Sequence, residues 1–334
     1  MRAIGYRKAS PALDTLEAFD IPRPSPRGRN LLVEVRAVSV NPVDYKVASG
    51  TPPEAGGIKV VGYDAAGFVA EAGAEARLFK PGDEVFYAGS IGRQGADMEY
   101  HLVDERIVGK KPRSLDFPAA AALPLTAITA WEAMFDRLVI ARDVPGAAKA
   151  ILILGGAGGV GSVAVQLARQ LTDLTIIATA SRPETAAWVK EVGAHHIVDH
   201  RQKLAPQVAA LGFGAPAFLF ATVPAAGLFP DLAELIAPQG RVALINSEAA
   251  DVSPFMRKSA AVCYELMFTR PLFQTADIEA QHRLLNEVSD LVDSGRVRST
   301  MRENYGRIDA ANLMRAFAFL KSGRAIGKIV LAGF

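Results

Sequence analysis

The rhythm of hydrophobic and polar positions changes along the chain. In roughly the first 120 residues it favours short strands. Leu31 to Val38 sets Glu34 and Arg36 between apolar neighbours, a half-buried strand pattern. Gly67 to Ala70 and Glu84 to Tyr87 are further strand candidates, and Lys80-Pro81-Gly82-Asp83 between them is a turn sequence. Helical periodicity is scarce here. After Pro118 the pattern becomes strand, helix, strand. Ala150 to Leu154 is an unbroken apolar run, as a strand buried on both faces requires. Comparable runs recur at Leu174 to Ala180, Ala217 to Thr222 and Arg241 to Asn246. Helices are predicted between them at Val160 to Leu171 and at Pro183 to Val192, the second stopping at Gly193. This alternation predicts an α/β fold with a doubly wound parallel sheet. An amphipathic helix is expected from Asp277 to Ser294, and Gly327 to Leu331 reads as a last strand.

Composition narrows the classes. The chain has 334 residues, half of them hydrophobic, enough for two separate cores. The net charge of +2 is spread along the length, without the dense basic patch of a nucleic-acid binder. The cluster Lys110-Lys111-Pro112-Arg113 reads as a solvated loop. A single cysteine, Cys263, precludes an intrachain disulfide and a multi-thiolate zinc site, which fits a cytoplasmic protein. No apolar run approaches the roughly 20 residues of a membrane span.

The strongest chemical signal is Gly155-Gly156-Ala157-Gly158-Gly159-Val160-Gly161, placed between an apolar strand and a helix. Read from Gly156 it fits G-x-G-x-x-G: a tight turn, close approach of backbone to a pyrophosphate, and close packing of helix on strand. The helix N-terminus, with Gly159, Val160 and Gly161, aims amides at phosphate. The next strand ends Ala178-Thr179-Ala180-Ser181-Arg182, without the acid that would hold an NAD ribose. Arg182 offers a fork for a 2′-phosphate and Ser181 a donor, so the expected cofactor is NADPH. Ser181 also fits a capping box with Glu184, and both roles can coexist.

These features resemble the medium-chain dehydrogenase/reductase superfamily over the whole length. The stretches that carry the likeness are Asn41 to Lys46, Gly62 to Val69, Lys80 to Val85, Leu123 to Ala127 and the glycine turn. Within it the chain looks like the zinc-type alcohol dehydrogenase-like proteins, relatives of the quinone oxidoreductases. The resemblance implies a GroES-like, mainly β catalytic domain from residues 1–124 and 271–334, with a Rossmann NADPH-binding domain from 125–270 inserted. It also implies a cleft active site and a homodimer paired near Cys263 to Thr269. The sequence departs from true zinc alcohol dehydrogenases where it matters. Asn41 or a neighbour stands for their first zinc-ligand cysteine, Gly62-Tyr63-Asp64 for their Gly-His-Glu, and no four-cysteine lobe is present.

By the same resemblance Asn41, Asp44, Tyr45 and Thr126 are the candidate catalytic residues. Asn41 and Asp44 could equally satisfy a turn, Tyr45 and Lys46 an exposed loop, and Thr126 an N-cap. Lys46, His200, Asn246 and Lys328 join the glycine turn, Ser181 and Arg182 as cofactor candidates. His195, His196 and His200 do not have a spacing that converges on one metal ion. Cys263 reads as a small buried hydrophobe. Without zinc no Lewis acid polarises an alcohol, so the suited reaction is hydride transfer from NADPH to a quinone or α,β-unsaturated carbonyl. The alternatives are a non-catalytic NADPH-binding sensor or structural protein, and an alcohol dehydrogenase with an atypical zinc.

Overall fold

The computed structural model describes residues 1–246 and 251–334. The chain forms two compact units, Met1–Ile128 with Phe268–Phe334, and Thr129–Met267.

The first unit is built around the strand Asn30–Ser39. Its apolar side chains are buried, whereas Glu34 and Arg36 face outward and pair at 2.8 Å. Ala65–Ala72 lies antiparallel to it, from Leu31 opposite Ala72 to Val38 opposite Ala65. Two register slips bend this pair, at Leu32/Val33 and Val35/Ala37. The sheet continues through Glu84–Tyr87 to Val108–Lys110. Tyr100–Asp104 and the C-terminal strand Lys328–Ala332 also pair with Asn30–Ser39, so the end of the chain completes a sheet begun near its start. Arg2–Tyr6, Glu17–Asp20 and Lys59–Val60 form a smaller sheet.

Three local expectations need correction here. A helix, Pro42–Gly50, interrupts the β region. Its inward face is Asp44, Val47 and Ala48, and a carboxylate at the head of that face hides the apolar period. The amphipathic helix runs Ala280–Asp293 rather than starting at Asp277. Asp277 is held outside it, accepting from Thr275 Oγ1 at 2.6 Å and from Arg270 Nε at 3.0 Å. Lys111 is not solvated: it is 6% exposed. Its ammonium donates to the Pro112 and Leu115 carbonyls and pairs with Glu84 at 3.1 Å.

The second unit carries six parallel strands: β1 (Ala148–Leu154), β2 (Thr175–Thr179), β3 (His196–Val198), β4 (Pro216–Ala221), β5 (Arg241–Leu244) and β6 (Ala261–Tyr264). Their order is 3-2-1-4-5-6, the doubly wound arrangement of a dinucleotide-binding domain. Ile151 to Leu154 in central β1 are at most 1% exposed, because helices cover both faces. The helix after β1, Gly159–Leu171, packs on the sheet through its first turn. A Cβ on Gly161 would stand 2.2 Å from the Gly155 carbonyl oxygen, so only glycine permits that approach. Gly158 differs. A Cβ there would meet only the Gly155 oxygen at 3.5 Å, an ordinary contact, and its φ is −73°. The protein's own packing does not demand glycine at 158.

This contrast predicts separable variants. Gly161→Ala should destabilise the fold by about 1–3 kcal/mol, measured by denaturant unfolding. Gly158→Ala should unfold like wild type. Equal destabilisation by both would contradict the packing described.

Candidate functional site

The motifs expected to bind phosphate come together at the C-terminal end of β1. Gly158 is the N-cap of helix Gly159–Leu171, so the amides of Gly159, Val160 and Gly161 have no partner within the helix. Gly158, Gly159 and Val160 are half-buried, and Gly161 is buried. Side chains that the sequence reading missed hold the turn in place. Thr179 Oγ1 accepts from the Gly155 amide at 2.9 Å, and Thr222 Oγ1 donates to the Leu154 carbonyl at 2.7 Å. Trp188 Nε1 donates to Ser162 Oγ at 2.8 Å. The chemistry of such a turn is backbone, so its supporting hydroxyls leave no short-range pattern to read.

Ser181 and Arg182 follow β2. The capping register differs from the expected Ser181/Glu184 box. Arg182 is the N-cap, its amide donates to Thr185 Oγ1 at 3.1 Å, and that hydroxyl donates back to the Arg182 carbonyl at 2.8 Å. Ser181 therefore lies outside the helix. The Arg182 guanidinium is one-third exposed and its Nε lies 2.8 Å from Glu184. These residues fit a 2′-phosphorylated adenosine: a cation and a hydroxyl at the strand tip, no acid replacing them, and an open backbone at Gly158. His200 is exposed beyond β3. Asn246 follows β5, beside a small cavity lined by Val223, Phe229, Leu244 and Tyr264.

A separate polar cluster lies in the first unit. Asp64, fully buried, accepts at Oδ1 from the Leu125 amide at 2.7 Å. At Oδ2 it accepts from Asn41 Nδ2 at 2.8 Å and from Lys328 Nζ at 3.0 Å. Lys328, 3% exposed, also donates to the Val40 carbonyl at 2.9 Å and to Asn41 Oδ1. Its three donors thus all point inward, and none remains for a cofactor phosphate. Asn41 caps helix Pro42–Gly50, and its amide donates to Asp44 Oδ2 at 2.6 Å. Asn41 and Asp44 thus satisfy the turn at the start of this helix.

Burial dominates the titration of this cluster. It pushes the Asp44 carboxyl up to about 7, against the pull of the Asn41 amide and the Lys328 charge. Burial also raises Asp64, opposed by Lys328 and by the hydrogen bonds from Asn41 and Leu125. Asp97 is raised well above the usual carboxylate range by burial and by the neighbouring Asp44 charge. Tyr63 is fully buried, with its ring edge-on to Phe268 at 5.4 Å. Thr126 sits inside helix Pro124–Trp131 rather than at its N-cap, and its hydroxyl donates to the Leu123 carbonyl at 2.9 Å. Tyr45 is half-buried, 6.5 Å from Phe317, and Lys46 is exposed. Of the four candidate catalytic side chains, Tyr45 alone is not buried.

The donor set does not fit zinc. At the positions of the resemblance stand an amide (Asn41), a buried phenol (Tyr63) and a carboxylate (Asp64) already bonded to an ammonium. A second cation there would face Lys328 directly. Among the described residues no three or more His, Cys, Asp or Glu side chains gather as a metal site. His195 instead accepts from the Ile176 amide at 2.9 Å.

The raised Asp44 carboxyl has a thermodynamic signature. Its folded value exceeds the unfolded one, so its contribution to stability is present below about pH 4 and lost as pH rises through about 7. Asp44→Asn, which keeps an acceptor for the Asn41 amide, should remove that part of the pH dependence. Unfolding free energies of both proteins across this range check it. Parallel curves would contradict the assignment.

Comparison with known proteins agrees with this architecture. Residues 27–113 match the alcohol dehydrogenase GroES-like domain, and residues 192–331 match the zinc-binding dehydrogenase family. A zinc-type alcohol dehydrogenase-like protein of Staphylococcus aureus (strain MSSA476) is 35% identical over 336 residues, covering 99% of each chain. The 2-methylene-furan-3-one reductase of Solanum lycopersicum is 27% identical, covering 90% of this chain and 71% of that protein. A crystal structure of a protein from Rhizobium etli CFN 42, described as a putative zinc-dependent alcohol dehydrogenase, is 59% identical. It superposes with a TM-score of 0.98, covering 100% of this chain and 98% of that one. With a GroES-like domain joined to a Rossmann-like parallel sheet and this full-length likeness, the chain belongs to the zinc-type alcohol dehydrogenase-like oxidoreductases of the medium-chain dehydrogenase/reductase superfamily.

Proposed function

We propose that this oxidoreductase uses NADPH to reduce a conjugated carbonyl, a quinone or an α,β-unsaturated ketone, without catalytic zinc. The observation that carries this reading is the Lys328–Asp64–Asn41 cluster, in which an internal ammonium and a carboxamide replace a metal donor set. Bound at the glycine turn, the reduced nicotinamide would supply a hydride. The residues of the chain then have three tasks. Gly158 to Gly161 hold the pyrophosphate, while Ser181 and Arg182 hold the adenosine 2′-phosphate. Lys328 and Asp64 fix Asn41, and through it the helix bearing Asp44 and Tyr45. On that helix Asp44, titrating near neutrality, holds a proton, and Tyr45 beside it is half-buried. A conjugated acceptor needs no Lewis acid because the negative charge spreads over it. The enone reductase from tomato among the relatives supports this substrate class.

We further read the chain as a cytoplasmic homodimer. Edge strand β6 ends at Tyr264, which with Leu266 is half-exposed, and an open apolar sheet edge favours pairing with a second copy. Among the described residues no helix is long and apolar enough to cross a membrane. Sedimentation at micromolar concentration measures the oligomeric state.

The decisive experiment follows NADPH oxidation with p-benzoquinone and a simple enone, beside metal analysis of the purified protein. Turnover should be unaffected by chelators. Stoichiometric zinc, with activity lost on chelation and restored by zinc, would overturn the metal-free reading. No turnover with either acceptor, despite tight NADPH binding, would favour a sensor.

Arg182→Ala should weaken NADPH binding about 10- to 150-fold, corresponding to about 1.5–3 kcal/mol, and leave NADH nearly unchanged. Because Glu184 competes for the guanidinium, Glu184→Gln should tighten NADPH binding by a few-fold, roughly the worth of an exposed ion pair. Titration of both nucleotides at fixed ionic strength tests the pair, and equal losses for NADH and NADPH would refute it.

Lys328→Met leaves Asp64 buried without its cation and should cost about 3–5 kcal/mol. Adding Asp64→Asn should recover a large part of the loss, read by denaturant unfolding. A single variant as stable as wild type would show that the pair is not the anchor.

A further inference from the structure

Two buried carboxyl groups stand in the dinucleotide unit, away from the glycine turn. Glu132 is fully buried and Glu265 is 3% exposed. Glu132 opens a π-helical segment, Glu132–Arg137, a rare form that often marks functional positions. Glu265 is the first residue beyond β6, and its amide donates to the Leu244 carbonyl at the end of β5 at 2.8 Å. Arg137 Nε donates to Glu265 Oε2 at 2.8 Å.

Two ionised carboxylates facing one guanidinium would leave an uncompensated charge inside the protein. Burial therefore favours the form in which the pair keeps a proton. Burial, the Glu132 charge and a hydrogen bond that protonated Glu265 donates to Glu132 push the Glu265 carboxyl up to about 8, against the pull of Arg137. The remaining charged or titratable groups around it are Cys263, raised by burial, and Arg241, which shares the field at that thiol. Arg241 Nη1 donates to the Leu138 and Val139 carbonyls at 2.9 and 3.2 Å, anchoring the far end of the π segment. Asp136, on the same segment, is exposed.

The strand order says what this cluster holds. A dinucleotide lies across the C-terminal ends of the strands, one half on each side of the switch between β1 and β4. The glycine turn and Arg182 place the adenosine half over β1 and β2. The nicotinamide half is left with the ends of β4, β5 and β6, and Glu265 ties the last two together. We infer that the buried Glu132–Glu265 pair, clamped by Arg137, positions the backbone that receives the nicotinamide half of the cofactor. These are positioning residues, and the inference rests on the dinucleotide reading above.

The test compares NADPH with its adenosine half alone, 2′,5′-ADP, by calorimetry. Glu265→Ala should weaken NADPH binding about 10-fold or more and leave 2′,5′-ADP within about 2-fold of wild type. Glu265→Gln should restore NADPH affinity, because an amide both donates to Glu132 and accepts from Arg137. In wild type, the advantage of NADPH over 2′,5′-ADP should fall as pH rises through about 8, whereas Glu265→Gln should show no such fall. The wild-type and glutamine arms stand even if the alanine variant does not fold. Equal losses for both ligands, failed rescue by glutamine, or a wild-type advantage independent of pH would each overturn the inference. Wild type binding neither ligand would overturn the dinucleotide reading itself, and this inference with it.

Discussion

An ammonium in a protein interior must have its partners supplied by the fold, and Lys328 gathers its partners from two distant parts of the chain. Val40 and Asn41 come from the end of one strand, Asp64 from the start of the next, and Lys328 from the C-terminal strand. Leaving such a charge unpaired costs several kcal/mol, so pairing of Lys328–Ala332 with Asn30–Ser39 and closure of the polar cluster are one event. Asp64 extends the constraint to the Leu125 amide, in the first turn of helix Pro124–Trp131, where a carboxylate also suits the helix dipole. A C-terminal segment that must return to the first domain follows directly from this.

The same constraint explains why a family known for zinc has a member whose site does not suit it. A divalent cation and a lysine ammonium solve one electrostatic problem in two ways, each offsetting buried acceptors. The ammonium brings its own donors and fixes Asn41 through them.

The second unit handles buried carboxyls differently. Arg137 bonds Glu265, and burial together with the Glu132 charge raises the Glu265 carboxyl so that the neutral form is favoured. The cluster lies at strand ends, where the fold leaves room for a ligand, rather than in the middle of the sheet.

The sequence by itself determined the parallel strands, the glycine turn and the absence of an acid after β2. Each rests on local chemistry: unbroken apolar runs bury on both faces, and glycine spacing and strand-tip residues need no distant partner. The motif resemblance also singled out Asn41 and Asp44, which the fold gathers into a buried polar cluster. Tertiary structure decided the rest. Helix Pro42–Gly50 was hidden because its inward face begins with a carboxylate, Asp44, that the Tyr63 backbone and the Lys328 charge offset from elsewhere in the chain. Lys111 read as solvated because the acceptor that draws its ammonium inward, Glu84, belongs to a neighbouring strand. Arg182 took the N-cap because Thr185, rather than Glu184, met its amide. Lys328 turned inward, and Glu265 found Glu132 more than a hundred positions away. Charge pairing across such separations depends on which strands become neighbours, and only the folded chain decides that.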